Sequence, residues 1–278
     1  MLTRFAPSPT GALHLGHAFS ALTVWHQAEH LGATALLRIE DFDSERCKSG
    51  YVDDILEDLT WLGLSWPAPP RRSSEHFAEY DETLKVLEAR GLLYPCGCSR
   101  RVIKAAGAKP GWDGYVYPGT CRHRAMETRA PKDAIRLNLQ AALAQIETPL
   151  TFVETGPLFG GAYSFVPNDM KQHKLLERMG DPILKRATGD PAYHLACPHD
   201  DAFQGMTHVV RGADLWRATW LHVVLQNLMG WSTPTYHHHD LITDDQGKRL
   251  AKIDASKALR SFRQEGATPA DIRALVGF

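Results

Sequence analysis

The chain has 278 residues, 44% hydrophobic and 23% charged, and its 31 Lys and Arg against 32 Asp and Glu leave a formal net charge of −1. That composition excludes disordered, collagen-like and disulfide-scaffold chains, and the near-neutrality excludes a uniformly basic nucleic-acid binder. At roughly 100–200 residues per domain, the length suits one large domain or two smaller ones.

The neutrality hides local imbalance. Residues 38–60 carry a net −5, residues 96–139 a net +6 and residues 246–278 a net +4. Stretches of this kind read either as opposed faces that set the basic ones against phosphate or as solvated helix faces, and charge alone does not choose between them. The start, MLTRFAPSPTG, has two prolines and no apolar segment, so it does not read as an export signal. The longest charge-free run, 218–239, is broken by His222, Gln226, Asn227 and Pro234 and does not read as a membrane span. Five cysteines, three of them at 96, 98 and 121, then suggest a reducing cytoplasm and metal ligation over disulfides.

In chain order, Leu2–Phe5 reads as a strand and is followed by a Pro/Ser/Thr/Gly loop. Leu15, Ala18, Phe19, Leu22 and His26 recur at helical spacing, and Gly32 is placed to stop that helix. Thr34–Ile39 is a compact buried strand ending in Glu40-Asp41, and helical periods follow over 51–62 and 74–90. This alternation predicts a parallel sheet, with ligands beyond the carboxyl ends of its strands. The middle, 96–190, has mixed periodicity, many Gly and Pro residues and the cysteine cluster. Alternation then resumes, with strands expected over 192–197 and 207–211 and a helix over 214–229. The predicted organisation is two halves of one nucleotide-binding domain (1–95 and 191–240), an insertion (96–190), and a basic, mostly helical appendage (241–278).

Two strings carry chemistry. Pro7-Ser8-Pro9-Thr10-Gly11-Ala12-Leu13-His14-Leu15-Gly16-His17 feeds a loop into a helix N-terminus, where free N–H groups and the dipole suit phosphate. His14 and His17, three apart, can both face that seat, and Gly16 leaves room for a nucleotide base. Late in the chain stands Gly247-Lys248-Arg249-Leu250-Ala251-Lys252. Cys96-Gly97-Cys98 and Cys121 offer three thiolates, and a tetrahedral site needs a fourth donor. Tyr117 and His123 both stand close enough in sequence, and general chemistry favours the histidine. The run His237-His238-His239 sits at a predicted strand end, where neighbouring side chains diverge, and is not read as a metal site.

His14-Leu15-Gly16-His17 after PSPTG resembles the first signature of class I aminoacyl-tRNA synthetases of the glutamyl type, and the Lys-rich string resembles the second, with Ala251 replacing the usual Ser. The resemblance implies a Rossmann-like α/β catalytic domain of class I synthetase type, a zinc-binding insertion and a short helical C-terminal appendage. It implies catalytic roles for His14, His17 and Lys252, and ATP contacts from His14, Gly16, His17, Arg249, Leu250 and Lys252. Glutamate would be held by Arg4, Ala6, Ser8, Glu40, Tyr193 and Arg211, with Cys197 standing where glutamyl-tRNA synthetases carry Asn. Forked guanidiniums for a carboxylate and an anion for the ammonium fit that ligand.

Small relatives of glutamyl-tRNA synthetase carry a Cys-x-Cys…Tyr-x-x-x-Cys zinc site. The resemblance therefore points to Cys96, Cys98, Tyr117 and Cys121 as ligands of one structural zinc. Only 26 residues follow Lys252, too few for the helical anticodon domain of a glutamyl-tRNA synthetase. The whole pattern is similar to the glutamyl-queuosine tRNA(Asp) synthetase family. That resemblance implies a cytoplasmic, monomeric ligase that uses ATP with magnesium, L-glutamate and queuosine-containing tRNA(Asp), without a membrane. Rival readings are a truncated glutamyl-tRNA synthetase charging a tRNA 3′ end, a nucleotidyltransferase of the same superfamily, and a non-catalytic RNA-binding paralogue.

Overall fold

The computed structural model describes residues 1–166, 173–242 and 257–278. Strand β1 (Leu2–Phe5) pairs in parallel with β2 (Thr34–Ile39), and β2 with β3 (Arg71–Arg72). Helix α1 (Leu15–Leu31) links the first two. It ends where Gly32, at φ 59°, donates its N–H back to the carbonyls of Ala28 and Glu29. Helix α2 (Ser49–Trp61) packs Val52, Ile55 and Leu59 inward, and α3 (Phe77–Ala89) follows a 3₁₀ turn over 73–76. Each fully buried leucine or isoleucine here contributes about 1.5–3 kcal/mol, so the seams of α1 and α2 hold the sheet edge firmly.

On its other side β1 lies beside β11 (His208–Gly212), tied at the starting ends by Thr207 N–H to Leu2 O at 3.0 Å. β11 pairs in parallel with β12 (Thr235–His239) through the crossover helix α8 (Trp216–Met229). The strand sequence β3–β2–β1–β11–β12 thus reverses between β1 and β11. In such sheets the crevice at the reversal takes the ligand.

The middle of the chain does not stand apart from this sheet. Strand β4 (Leu93–Cys96) pairs antiparallel with β7 (Ala134–Leu137), which pairs with β10 (Ile183–Lys185). Strand β8 (Leu150–Glu154) joins β12 in parallel at Tyr236–Glu154 and pairs antiparallel with β9 (Gly161–Phe165). The middle also holds short helices α4 (Arg100–Ala105), α5 (Leu139–Ala144) and α6 (His173–Arg178), and a hairpin of β5 (Pro110–Gly111) and β6 (Gly114–Tyr115).

Two expectations are corrected here. Residues 192–197 are not a strand; they open helix α7 (Tyr193–Phe203), with Pro198 inside it. Every residue from His194 to Asp201 is buried, so the helix has no polar face to give a 3.6-residue period. Among the described residues of the basic tail, the arginines are also not free for phosphate. Its helices α9 (Leu259–Gln264) and α10 (Pro269–Val276) turn their arginines onto the acidic stretch. Arg260 pairs with Asp54 at 2.7 Å, Arg263 with Glu57 at 2.8 Å and with Asp58 at 3.6 Å, and Arg273 reaches Leu62 O at 3.2 Å. Among the described residues, two arginines of the tail therefore offset part of the acidic charge on α2.

Among the described residues, no helix is long and apolar enough to cross a membrane.

Candidate functional site

At the carboxyl end of β1 the chain turns through Pro7–Leu13 into α1, whose N-cap is His14. Gly16 N–H donates to His14 Nδ1 at 3.1 Å, and His14 N–H donates to His17 Nδ1 at 3.2 Å. Each ring thereby offers its Nδ1 lone pair to the backbone, which leaves the ring proton on Nε2. The rings lie 3.9 Å apart, centroid to centroid. Burial lowers the pKa of His14, and burial together with His14 holds His17 down at about 3. Both are therefore neutral N–H donors at neutral pH, not cations.

A cavity of about 330 Å³ is lined by Ser8, Thr10, Gly11, Ala12, His14, His17 and Ala258. An alanine at 16 would place its Cβ 3.0 Å from His14 Cε1, so the glycine also lets that ring lie over its own helix turn. The chain returns at Ala258, and Leu259 N–H donates to Leu13 O at 2.8 Å. Lys248, Arg249, Leu250, Ala251 and Lys252 lie outside the described residues.

Next to this cavity, at the sheet reversal, Arg4 on β1 and Arg211 on β11 are both buried, with Glu40 just beyond β2 and Tyr193 opening α7. Ala6 is half-buried and Ser8 exposed on the connecting loop. The two arginines are not equivalent. Arg4 grips Asp201 with two hydrogen bonds, Nε–Oδ1 at 2.7 Å and Nη2–Oδ2 at 3.1 Å. Asp201 also takes Arg38 Nη1 at 2.8 Å, and Arg38 Nη2 donates to Glu40 Oε1 at 3.1 Å. Burial would raise Asp201, but Arg4 and Arg38 outweigh it and hold the carboxyl at about 2. Glu40 is shifted upward, by burial against the pull of Arg38 and Arg4.

Arg211 meets only neutral acceptors: His238 Nε2 at 3.0 Å, Tyr193 Oη at 3.1 Å, His222 Nδ1 at 3.3 Å and Thr219 Oγ1 at 2.7 Å. Among the described residues it makes no direct ion pair, and one Nη2 hydrogen is left over from its five. A buried guanidinium without a carboxylate in contact is a strong site for an incoming one. His238 in turn binds Glu154 Oε2 at 2.6 Å through Nδ1, and burial keeps that imidazole down at about 4. Cys197, whose thiol burial pushes up to about 12, lies 3.6 Å from Arg4 Nη2 and 3.7 Å from Asp201 Oδ2.

Sequence reading missed Arg38, Asp201, His222, His238, Thr219 and Glu154. Arg38 carried a signal, a charge inside an otherwise apolar strand two residues before Glu40 and therefore on the same face. The others meet through long-range packing that local spacing does not reveal. The three neighbouring histidines diverge: His237 meets Thr155 at 3.0 Å, His238 meets Glu154, and His239 meets Ser20 at 3.0 Å.

The Cys96, Cys98 and Cys121 sulfurs lie within 4.8 Å of one another. Cys98 Sγ is 3.6 Å from Cys121 Sγ and 3.5 Å from Tyr117 Oη. A tetrahedron with metal–sulfur bonds of about 2.3 Å has edges of about 3.8 Å, so these spacings suit one ion. Tyr117 is buried at the cluster, under the Arg136 guanidinium at 3.9 Å, whereas His123 is exposed. Around it, Arg122 is tied to Asp181 at 2.8 Å and Arg124 to Asp133 at 2.7 Å, while Arg100, Arg101 and Lys104 on α4 are exposed.

Residues 1–137 and 162–277 match the family described as tRNA synthetases class I (E and Q), catalytic domain. A glutamyl-Q tRNA(Asp) synthetase of Rhodobacter capsulatus is 47% identical over the full length of both chains. One of Symbiobacterium thermophilum is 36% identical, covering 96% of this chain and 82% of the relative. The crystal structure of a glutamate-tRNA synthetase from Elizabethkingia anophelis superposes with a TM-score of 0.74 at 26% identity, and this chain spans 61% of its length. A Mycobacterium tuberculosis methionyl-tRNA synthetase shares the fold, with a TM-score of 0.59 at 12% identity. With the two signature histidines at the head of α1, the arginines at the sheet reversal and full-length identity of this order, the chain belongs to the glutamyl-Q tRNA(Asp) synthetase family of class I catalytic domains.

Proposed function

We propose that the chain activates L-glutamate with ATP, without tRNA, and transfers the glutamyl group to the queuosine at the wobble position of tRNA(Asp). The observation that carries this reading is Arg211, buried, held rigidly by neutral acceptors and lacking a carboxylate in contact among the described residues. In this reading Arg211 and Tyr193, with the remaining N–H of Arg4, take the substrate's side-chain carboxylate, and Glu40 takes its ammonium beside Ala6 and Ser8. The α-carboxylate then faces the His14–His17 cavity. One of its oxygens attacks the α-phosphorus of ATP in line, the bond from that phosphorus to the bridging oxygen breaks, and pyrophosphate leaves.

Charge grows on the phosphoryl oxygens during this step. The Nε2–H groups of His14 and His17 donate to those oxygens, fixed beforehand by their backbone contacts at Nδ1, so little reorganisation is needed. Gly16 lies against the nucleotide. Arg249, Leu250 and Lys252 contact ATP, and Lys252 acts as the motif's catalytic cation. The return of the chain at Ala258, in the wall of the same cavity, supports this pairing of the two signatures. Magnesium bound with the nucleotide would offset its charge. A hydroxyl on the queuosine cyclopentenediol then takes the glutamyl group from the adenylate, and positioning supplies most of that step.

Cys96, Cys98, Cys121 and Tyr117 would hold one structural zinc, all four positions being filled by protein. The segment 96–190 that carries them, inserted between residues 1–95 and 191–240, would present α4 to RNA phosphate. Glutamate-dependent ATP–pyrophosphate exchange without RNA tests the first half-reaction, and its absence at saturating substrates refutes the reading. Labelled glutamate supplied with tRNA(Asp), with and without queuosine, tests the second; label at the 3′ end instead would favour ordinary aminoacylation.

A further inference from the structure

Behind Arg211 runs a line of polar side chains that the proposed reaction does not use. Arg211 Nη1 meets His222 Nδ1 at 3.3 Å, His222 Nε2 meets His194 Nδ1 at 3.4 Å, and His194 Nε2 meets Asp113 Oδ2 at 3.1 Å. The line crosses four elements, from β11 through α8 and α7 to the turn of the β5–β6 hairpin. Its inner end is buried, with His222 only 1% exposed, while the Asp113 side chain is 72% exposed.

The two ends fix the direction of every hydrogen. Arginine only donates, and an ionised carboxylate only accepts. His222 must therefore accept at Nδ1 and carry its proton on Nε2, which donates to His194 Nδ1. His194 then carries its own proton on Nε2, toward Asp113. A proton added to either ring would set donor against donor. The same grammar recurs on the other side of the guanidinium, where Arg211 Nε donates to His238 Nε2 and His238 Nδ1–H donates to Glu154. Burial, with the Arg211 and Arg4 guanidiniums nearby, favours the neutral form of His222, whose ring also faces His194, His238 and Tyr193.

We propose that Asp113, His194 and His222 form a positioning relay for Arg211: the guanidinium and the outer carboxylate together fix the tautomers of both imidazoles, so that the buried ring presents a lone pair to the guanidinium that binds the substrate carboxylate. This rests on the reading of Arg211 as the ligand of an acidic amino acid. None of the three residues touches the reacting atoms. Their effect falls on how tightly the amino acid is held, and Asp113 makes the hairpin preceding Tyr117 part of that pocket.

Two measurements test the relay. In full-length protein labelled with ¹⁵N-histidine, long-range ¹H–¹⁵N correlation at pH 7.5 should show His194 and His222 as neutral Nε2–H rings, and Asp113→Asn should let His194 sample the other tautomer. In the exchange assay, Asp113→Asn, a change at an exposed site that leaves the core untouched, should raise the glutamate KM about tenfold while kcat and the ATP KM stay within about twofold. His222→Leu should raise the glutamate KM further, and His222→Asn, whose side-chain oxygen can stand where Nδ1 stands, should recover most of that loss. An imidazolium or an Nδ1–H ring at either position in the wild type, or a glutamate KM unmoved by Asp113→Asn, overturns the relay. The ring signals are read without substrate. A wild-type protein with no exchange would therefore refute the assigned reaction and leave the tautomers to judge the relay.

Discussion

Replacing Asp201 with Asn removes the anion at the centre of the buried charge cluster while keeping its shape. Asp201 accepts from Arg4 at 2.7 and 3.1 Å and from Arg38 at 2.8 Å, and all three side chains are at most 5% exposed. Its carboxyl, held at about 2 against an ordinary 3.8, stores about 2 kcal/mol of pH-dependent stability. Because the folded value lies below the unfolded one, that stability is complete above about pH 4 and is lost as the pH falls toward 2. The amide does more harm than this figure implies, since it leaves two buried guanidiniums without their shared counter-charge. Breaking one partner of a buried ion pair costs about 3–5 kcal/mol. With a urea slope of about 3 kcal/mol per molar, the unfolding midpoint at pH 7.5 should fall by about 1–1.7 M. The variant should also lose the wild type's fall in stability between pH 4 and pH 2. A loss below about 1 kcal/mol, the size of a surface ion pair, would refute the view of Asp201 as the anchor of Arg4 and Arg38.

Other outcomes follow from the same geometry. His17→Ala removes one pre-set phosphate donor and should lower exchange kcat about 10²–10³-fold, with little change in glutamate KM, as measured by steady-state exchange. Metal analysis of the purified protein should find one zinc per chain. Cys98→Ser should lose it and His123→Ala should keep it; loss of zinc on changing His123 would give the fourth position to the histidine. Asp58, buried on α2 near Asp54 and Glu57, has its carboxyl pushed up to about 6 by burial, against the pull of Arg263. The unfolded chain releases this proton first, so wild-type stability should fall by about 2 kcal/mol between pH 4 and pH 6. Asp58→Asn should abolish that slope and be the more stable form at pH 8; denaturation midpoints that fall in parallel for both proteins would contradict this.

How much was legible in advance depended on whether a signal was local. Leu2–Phe5 and Thr34–Ile39 were readable because short apolar runs bounded by turn residues and a glycine stop leave few alternatives. The two signature strings were readable because loop, cap and helix start lie within a dozen consecutive residues, and the pair of cysteines at 96 and 98 because thiolates so close in sequence share few other uses. Helix α7 was not, since burial on every side erased its period.

Tertiary structure alone decided the electrostatics. Sequence counted acidic and basic blocks, but only packing showed α9 set against α2, so that arginines expected at phosphate are spent on Asp54, Glu57 and Asp58. The same holds at the crevice. Arg4 and Arg211 look alike in the sequence, yet residue 201, far along the chain, neutralises one, and two imidazoles leave the other's charge unpaired by direct contact. Coulomb energy falls with distance in space and local dielectric, and neither quantity is written in the order of the residues.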